Sequence, residues 1–337
     1  MKIKQYIVLS MFAVAAAGCH LIDDDLSVCG ADYLINYRMN LVTEVNTTID
    51  ERLSSDVEKP VADALKLWSE PYFMGHAHDL DMSFYSLDGT DELLEHKSDI
   101  IDANRKSYTL YIPRKDYRHL AVVNIKDNKN TSLMGGQYAS SMRVVQREAD
   151  TLPSHNTAIY TARLPMYMPD NDSDLSFNVH LYMASCAVAI VQINHTATPL
   201  RMGSVLLSGT ASTFSLNDSL YAFEHTSLIR AEKVLENCYA MLSLPSRDVN
   251  SETNGMPARA KSANDELWQL RVYIPLSDGK VTESVLSFHQ PLKAGTLEIV
   301  KIEVQENGAV TVVENLEVGV TVTLDWKQGD DHEVITG

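Results

Sequence analysis

Residues 300–313 read VKIEVQENGAVTVV, and their period decides the fold class. Val300, Ile302 and Val304 alternate with Lys301, Glu303 and Gln305. Successive side chains of a strand point to opposite faces, so this pattern gives one apolar face and one polar face. Asn307-Gly308 follows, a pair that accepts the positive φ angles of a tight hairpin turn. Val310 and Val312 then resume the alternation, and the whole predicts a β-hairpin. Just downstream the pattern is cleaner. Val318, Val320, Val322, Leu324 and Trp326 share one face, and Gly319, Thr321, Thr323 and Asp325 share the other.

The same period recurs upstream. In residues 32–43 it sets Tyr33, Ile35, Tyr37, Met39 and Leu41 on one face. In residues 79–87 it turns Leu80, Met82 and Phe84 inward and leaves Asp79 and Asp81 on a solvated face. Residues 107–113 and 120–125 read as a strand pair flanking a turn at 114–118. Residues 175–193 form one long strand or two, and 202–208, 240–244 and 267–274 add more. Helical spacing of Val57, Val61, Ala64, Leu65 and Trp68 predicts a helix over 54–68, capped by Ser55 or Asp56, with Pro60 rather deep for a first-turn proline. A weaker helix is expected over 140–149. Residues 165–174 are polar and turn-rich, which suits a domain boundary, and 247–264 is a long polar loop without a period. The expected fold is mainly β: two β-sandwich domains, 32–168 and 169–337, the first carrying one or two short helices.

A chain of 337 residues suits about two domains. Its formal charge of −17 argues against nucleic acid and against polybasic attraction to anionic lipid. The first 18 residues carry Lys2 and Lys4, then an apolar core from Tyr6 to Ala17 that is too short for a bilayer span of roughly 20 residues. They read as a secretory signal. Ala16-Ala17-Gly18-Cys19 resembles a bacterial lipobox, with cleavage between Gly18 and Cys19 and acyl chains (palmitate) on Cys19. Ala16 stands where lipoboxes usually carry Leu. Loss of Lys2 and Lys4 takes the formal charge from −17 to −19, so residues 19–31, with Asp23, Asp24 and Asp25, read as a hydrated acidic tether. That acidic patch resembles the surface-export signal of lipoproteins in the Bacteroidales. The implied location is the cell outer membrane, lipid-anchored and surface-exposed.

With Cys19 lipidated, Cys29, Cys186 and Cys238 remain, an odd number. Cys186 lies in an apolar run and reads as a small hydrophobe, with a Cys186–Cys238 disulfide as the alternative. No cysteine pair has metal-ligand spacing. His76-Ala77-His78 could share a metal from one strand face, as in amidohydrolases, but those enzymes need strand–helix alternation that this chain lacks. Asp79 and Asp81 have no sign of an opposing carboxylate across a cleft. No nucleophile elbow, P-loop or dinucleotide fingerprint occurs. The reading is therefore no catalytic residue, no metal and no cofactor. The 15 tyrosines could form a glycan-stacking platform or simply fill strands.

Asp25-Leu26-Ser27-Val28-Cys29-Gly30 follows the lipobox and leads straight into the strand from Asp32. This resembles the FimB-type fimbrial anchor family of the Bacteroidales, whose members carry a D-L-S-x-C element soon after the lipidated cysteine. Residues 77–87, 107–125 and 319–326 also look like that group. The resemblance implies two transthyretin-like or Ig-like sandwich domains and a non-enzymatic role: a lipoprotein that anchors or terminates a fimbrium and contacts shaft subunits by strand addition. Residues 317–326 are the candidate partner strand, through Val318, Val320, Val322, Leu324 and Trp326. Completion of the molecule's own sandwich is the competing use of that strand. In polymerising fimbrillins, cleavage after an early arginine opens an acceptor groove. Arg38 and Arg52 sit in no obvious cleavable segment, which favours an anchor over a shaft subunit. The alternative function is a surface glycan-binding lipoprotein.

Overall fold

The computed structural model describes residues 33–41, 58–73, 79–99, 107–168, 175–193, 200–248 and 266–319, with positions 49, 53 and 55 and short strands at 252–253 and 256–257. The fold is mainly β, as expected, and among the described residues its four large sheets stack in two pairs with the helix Lys59–Phe73 between them.

A seven-stranded sheet runs in the order Leu93–Asp99, Leu80–Ser86, Tyr117–Val123, Tyr160–Met166, Leu175–Met183, Tyr33–Leu41, Ser107–Ile112. Tyr33–Leu41 lies parallel to Leu175–Met183, with Ile35 opposite Leu175 and Leu41 opposite Leu181. Ser107–Ile112 and Tyr117–Val123 are both strands but do not pair with each other. The first pairs with Tyr33–Leu41 at the sheet edge, and the second lies between Leu80–Ser86 and Tyr160–Met166. Strand Leu80–Ser86 is buried at every position, so its alternation marks two covered faces rather than one wet face. Asp79 and Asp81 are correspondingly buried, contrary to the solvated face expected for them. A four-stranded sheet of Tyr221–Ala222, Thr213–Ser215, Arg143–Gln146 and Thr131–Met134 covers that second face. The helix expected over 140–149 is only a 3₁₀ turn, Ala139–Ser141, before strand Arg143–Gln146. Val144 and Gln146 are buried while Val145 is only half-buried, a period of two that overrides the weak helical pattern.

The second pair comprises two five-stranded sheets. The central one runs Glu232–Leu235, Cys238–Ser243, Cys186–Gln192, Thr296–Val304, Val310–Gly319. The outer one runs Val281–Phe288, Trp268–Pro275, Ser204–Ser208, Leu228–Arg230, Thr151–Pro153. The apolar run from Cys186 to Gln192 is buried throughout, and it pairs parallel with Thr296–Val304. Unbroken apolar runs are what parallel strands covered on both faces require. Cys186, Val188 and Ile190 pack toward the outer sheet, and Ala187, Ala189 and Val191 join the core shared with the seven-stranded sheet and the helix.

The helix spans Lys59–Phe73, later than expected from the spacing. This start places Pro60 in the first turn, where its missing N–H costs nothing. Ser55 N and Oγ both donate to Glu58 Oε2, at 3.3 and 2.6 Å, closing the turn that leads in. Val61, Ala62 and Leu65 enter the shared core. At the far end Tyr160 Oη donates to the Tyr72 carbonyl at 2.7 Å, which ties the helix to the seven-stranded sheet.

The 168/169 division read from sequence does not follow a sheet boundary. Leu175–Met183 belongs to the seven-stranded sheet, Thr151–Pro153 to the outer sheet, and Thr213–Ser215 to the four-stranded sheet. The chain changes sheets at Ala184-Ser185, between its two long strands.

Candidate functional site

The hairpin read from residues 300–312 is present. Gln305 N donates to the Ala309 carbonyl at 2.9 Å, Asn307 Oδ1 accepts from Ala309 N at 2.9 Å, and Gly308 takes φ +82°. Its second strand, Val310–Gly319, ends the central sheet and is paired along one side only among the described residues. The register slips between Lys301 and Ile302, leaving Val313 as the extra residue of a bulge. Consecutive valines at 312 and 313 are the sequence signal for that slip. Val312 and Val313 are 41% and 55% exposed, which is unusual for apolar residues inside a strand.

The outer sheet ends on the same flank. Val310 N donates to Ser284 Oγ at 3.1 Å, and Thr282 Oγ1 donates to the Asn307 carbonyl at 3.5 Å. Val281 and Val285 of that second edge strand are exposed as well. Among the described residues, one flank of the sandwich therefore presents two sheet edges and four exposed valines. Unpaired backbone donors and acceptors beside apolar side chains form a template for another strand.

The edge is fixed from behind. Lys301 Nζ lies 2.8 Å from Glu58 Oε1 and 3.2 Å from Glu314 Oε2, so one ammonium joins the helix start to the edge strand. Burial alone would raise the Glu58 pKa, but the hydrogen bonds from Lys301 and Ser55 outweigh it and hold the carboxyl below its ordinary value. Burial would likewise lower Lys301, and its two carboxylate partners keep it above its ordinary value. Lys301 and Glu314 are cross-strand partners of the hairpin, but nothing in the sequence pointed to Glu58, which comes from a distant element.

Of the candidate partner strand, Val318 lies in register with Leu297 inside the molecule's own sheet. Val320, Val322, Leu324 and Trp326 lie outside the described residues, as do Gly18, Cys19, Cys29, His76 and His78. Asp79 accepts from the backbone N–H groups of Ile125 (2.9 Å), Lys126 (3.0 Å) and Asp127 (3.3 Å), and so holds a turn. Asp81 Oδ2 lies 2.9 Å from His96 Nε2. The two carboxylates thus have different partners. Cys186 and Cys238 are free. They lie opposite Ser243 and Val191 in the same strand pair and belong to different cores, so the alternative disulfide is not formed. Burial pushes both thiols up to about 12, which suits inert apolar packing. The tyrosines divide: Tyr85, Tyr117 and Tyr160 fill cores, while Tyr111, Tyr167 and Tyr182 are exposed on separate elements. No described helix is long and apolar enough to cross a membrane.

No protein-family model matches the sequence, and no curated protein matches it by sequence. Solved structures do match by fold. A candidate polysaccharide-binding protein from Bacteroides thetaiotaomicron is similar with a TM-score of 0.52 at 6% identity, over 87% of this chain and 98% of that one. A candidate adhesin from the same species gives a TM-score of 0.51 at 12% identity, over 74% and 91%. The fimbrial anchor protein Mfa2 from Porphyromonas gingivalis gives 0.47 at 10% identity, over 86% and 99%. At such identities the first two comparisons establish a shared fold.

Proposed function

We propose that this chain is a fimbrial anchor or terminal subunit, a non-enzymatic lipoprotein held in the outer membrane through Cys19 and joined to shaft subunits by strand addition. The observation that carries this reading is the open edge strand Val310–Gly319, whose sequence runs directly into the alternating stretch that ends at Trp326. The lipobox, the D-L-S-x-C element and the fold shared with a Bacteroides adhesin candidate support it. In this reading Val318 stays in its own sheet, and Val320, Val322, Leu324 and Trp326 fill alternate pockets of the neighbouring subunit. Backbone hydrogen bonds supply affinity, and the side chains supply register.

The test is deletion of residues 319–337 in the native cell. Association with the shaft subunit should disappear while the protein still fractionates with the outer membrane. Unchanged association would rule out strand donation. A Cys19→Ala variant should release the protein and its attached fimbriae from the cell. A paired Val312→Lys, Val313→Lys variant tests the other direction: charge on an edge opposes strand addition, so loss of association here with the terminal stretch intact would make the edge the acceptor.

The second reading, a surface glycan-binding lipoprotein, draws on a different part of the molecule, the pocket beside Arg247.

A further inference from the structure

A pocket of about 220 Å³ opens beside the outer sheet, lined among others by Thr210, Phe223, His225, Arg247, Glu266 and Gln269. Its floor is built by close backbone approach. Gly209 has φ +87°, and a Cβ there would lie 2.7 Å from the Leu267 carbonyl oxygen and 2.8 Å from Trp268 Cα. One wall is rigid: Trp268 stacks on Phe288 at 3.9 Å and donates its indole N–H to the Gln290 carbonyl at 2.7 Å. A single bridge pairs Thr210 with Ser246, which sets Arg247 at the rim. Ser246 Oγ accepts from Leu292 N at 2.9 Å and donates to the Arg247 carbonyl at 3.0 Å, fixing that backbone.

Two groups in this pocket lack the partners their chemistry calls for. The Arg247 guanidinium lies over the Phe223 ring, 5.1 Å from its centroid, and forms no ion pair among the described residues. In a chain of formal charge −17, carboxylates are abundant, so an arginine without one among the described residues is informative. Thr210 is 5% exposed, and its Oγ1 is buried with no hydrogen-bond partner among the described residues. A buried hydroxyl left unpaired costs about 1–3 kcal/mol. Beside them Gln269 Nε2 donates to Glu266 Oε2 at 2.7 Å, which places a side-chain donor and an acceptor together. His225 Nδ1 lies 3.7 Å from Glu148 Oε1 at the outer rim.

We propose that this pocket binds one acidic sugar residue of a surface polysaccharide, a hexuronate, with its carboxylate on Arg247 and its ring hydroxyls on Gln269 and Glu266. The charge calls for a single carboxylate, which guanidinium binds in bidentate fashion. The mixed donors and acceptors call for hydroxyls, which can serve as both. The volume is below the roughly 300–1,000 Å³ of drug-sized sites and suits one sugar ring. This inference deepens the glycan-binding reading. It does not require strand addition, so either can fail alone.

The test is titration of the full purified protein with D-glucuronate and D-galacturonate, with D-glucose and acetate as controls, followed by calorimetry and saturation-transfer NMR. A uronate should bind at least about tenfold more tightly than glucose or acetate. Arg247→Met should weaken it by about tenfold or more, with its far-UV spectrum and melting temperature unchanged. Arg247→Lys should retain part of the affinity. Absence of binding at millimolar uronate overturns the proposal, as does equal binding of glucose. Acetate as strong as uronate would make the pocket an anion site only, and full affinity in Arg247→Met would place the sugar elsewhere. Glucuronate binding retained after deletion of residues 319–337 would separate this site from the assembly contact.

Discussion

At the scale of single residues, the acid sensitivity of the fold rests on two histidines. His119 stacks on Phe84 at 4.4 Å, with Nδ1 3.1 Å from the Ser83 carbonyl oxygen, and His155 Nε2 lies 3.1 Å from Gln146 Oε1. Both are fully buried, and burial lowers each pKa from 6.5 to about 4, in His119 against the opposing pull of the Ser83 carbonyl. Between those values the unfolded chain binds the proton and the folded one does not. Stability therefore falls as pH drops from 6.5 toward 4, by about 1.4 kcal/mol per pH unit for each histidine. Urea midpoints measured at pH 7 and pH 5 should show the loss, and His119→Leu should shrink it. An unchanged pH slope in that variant would remove His119 from the account. Neither residue stood out in the sequence: His119 lies within a strand, where a histidine looks the same whether its face is wet or covered, and His155 lies in the connection after Thr151–Pro153, where burial leaves no pattern. The same holds for Asp79, whose partners are backbone N–H groups of residues 125–127.

At the scale of elements, the Lys301 triad ties the edge strand to the helix. The Lys301 and Glu58 side chains are 9% and 13% exposed, so removing one partner strands a buried charge. Glu58→Ala should cost about 2–4 kcal/mol in denaturant unfolding, since Glu314 remains as a half-exposed partner. A Glu58→Met, Lys301→Met double variant should recover most of that loss, because two apolar side chains carry no desolvation penalty. The signs with pH follow from the shifts. The Glu58 contribution is full above its unfolded value of 4.5 and is lost as pH falls through its lower folded value. The Lys301 contribution is full below 10.5 and is lost as pH rises through its higher folded value. Elements were legible in the sequence where the alternation is regular and a turn pair follows, as in the hairpin at Asn307-Gly308, even though Lys301 of its polar face is buried. Where both faces are covered, as in Leu80–Ser86, the strand could be found but not its surroundings. Pairing was legible least. Ser107–Ile112 and Tyr117–Val123 are close in sequence, yet their partners are set by the hydrophobic faces of distant strands.

At the scale of the molecule, the central sheet belongs to two cores at once. Ala187, Ala189 and Val191 complete the core of the seven-stranded sheet and helix, and Val188 and Ile190 complete that of the outer sheet. Strands from either side of residue 168 also share three of the four large sheets. The chain should therefore unfold in one calorimetric transition, with van't Hoff and calorimetric enthalpies in agreement. Fragments 32–168 and 169–337 should not fold when expressed apart. Two resolved transitions, or a folded fragment, would show that the halves are independent. The sequence showed that there would be two sandwiches but not that the chain weaves between them, because a turn-rich stretch such as 165–174 marks a loop equally well within a sheet and between domains.

The parallel pairing of Tyr33–Leu41 with Leu175–Met183 sets how the molecule meets a mechanical load. If the chain is held at its N-terminal side while a neighbour pulls on the edge strand Val310–Gly319, tension enters at Tyr33 and leaves this strand pair at Met183. Those are opposite ends of two strands that run the same way. The ladder between them is then sheared, with its hydrogen bonds strained together, rather than peeled open one at a time. From Met183 the force passes through Ala184-Ser185 into Cys186–Gln192, the strand buried on both faces. The same weave that hides the domain boundary makes a continuous tensile path through the most protected strands of the protein.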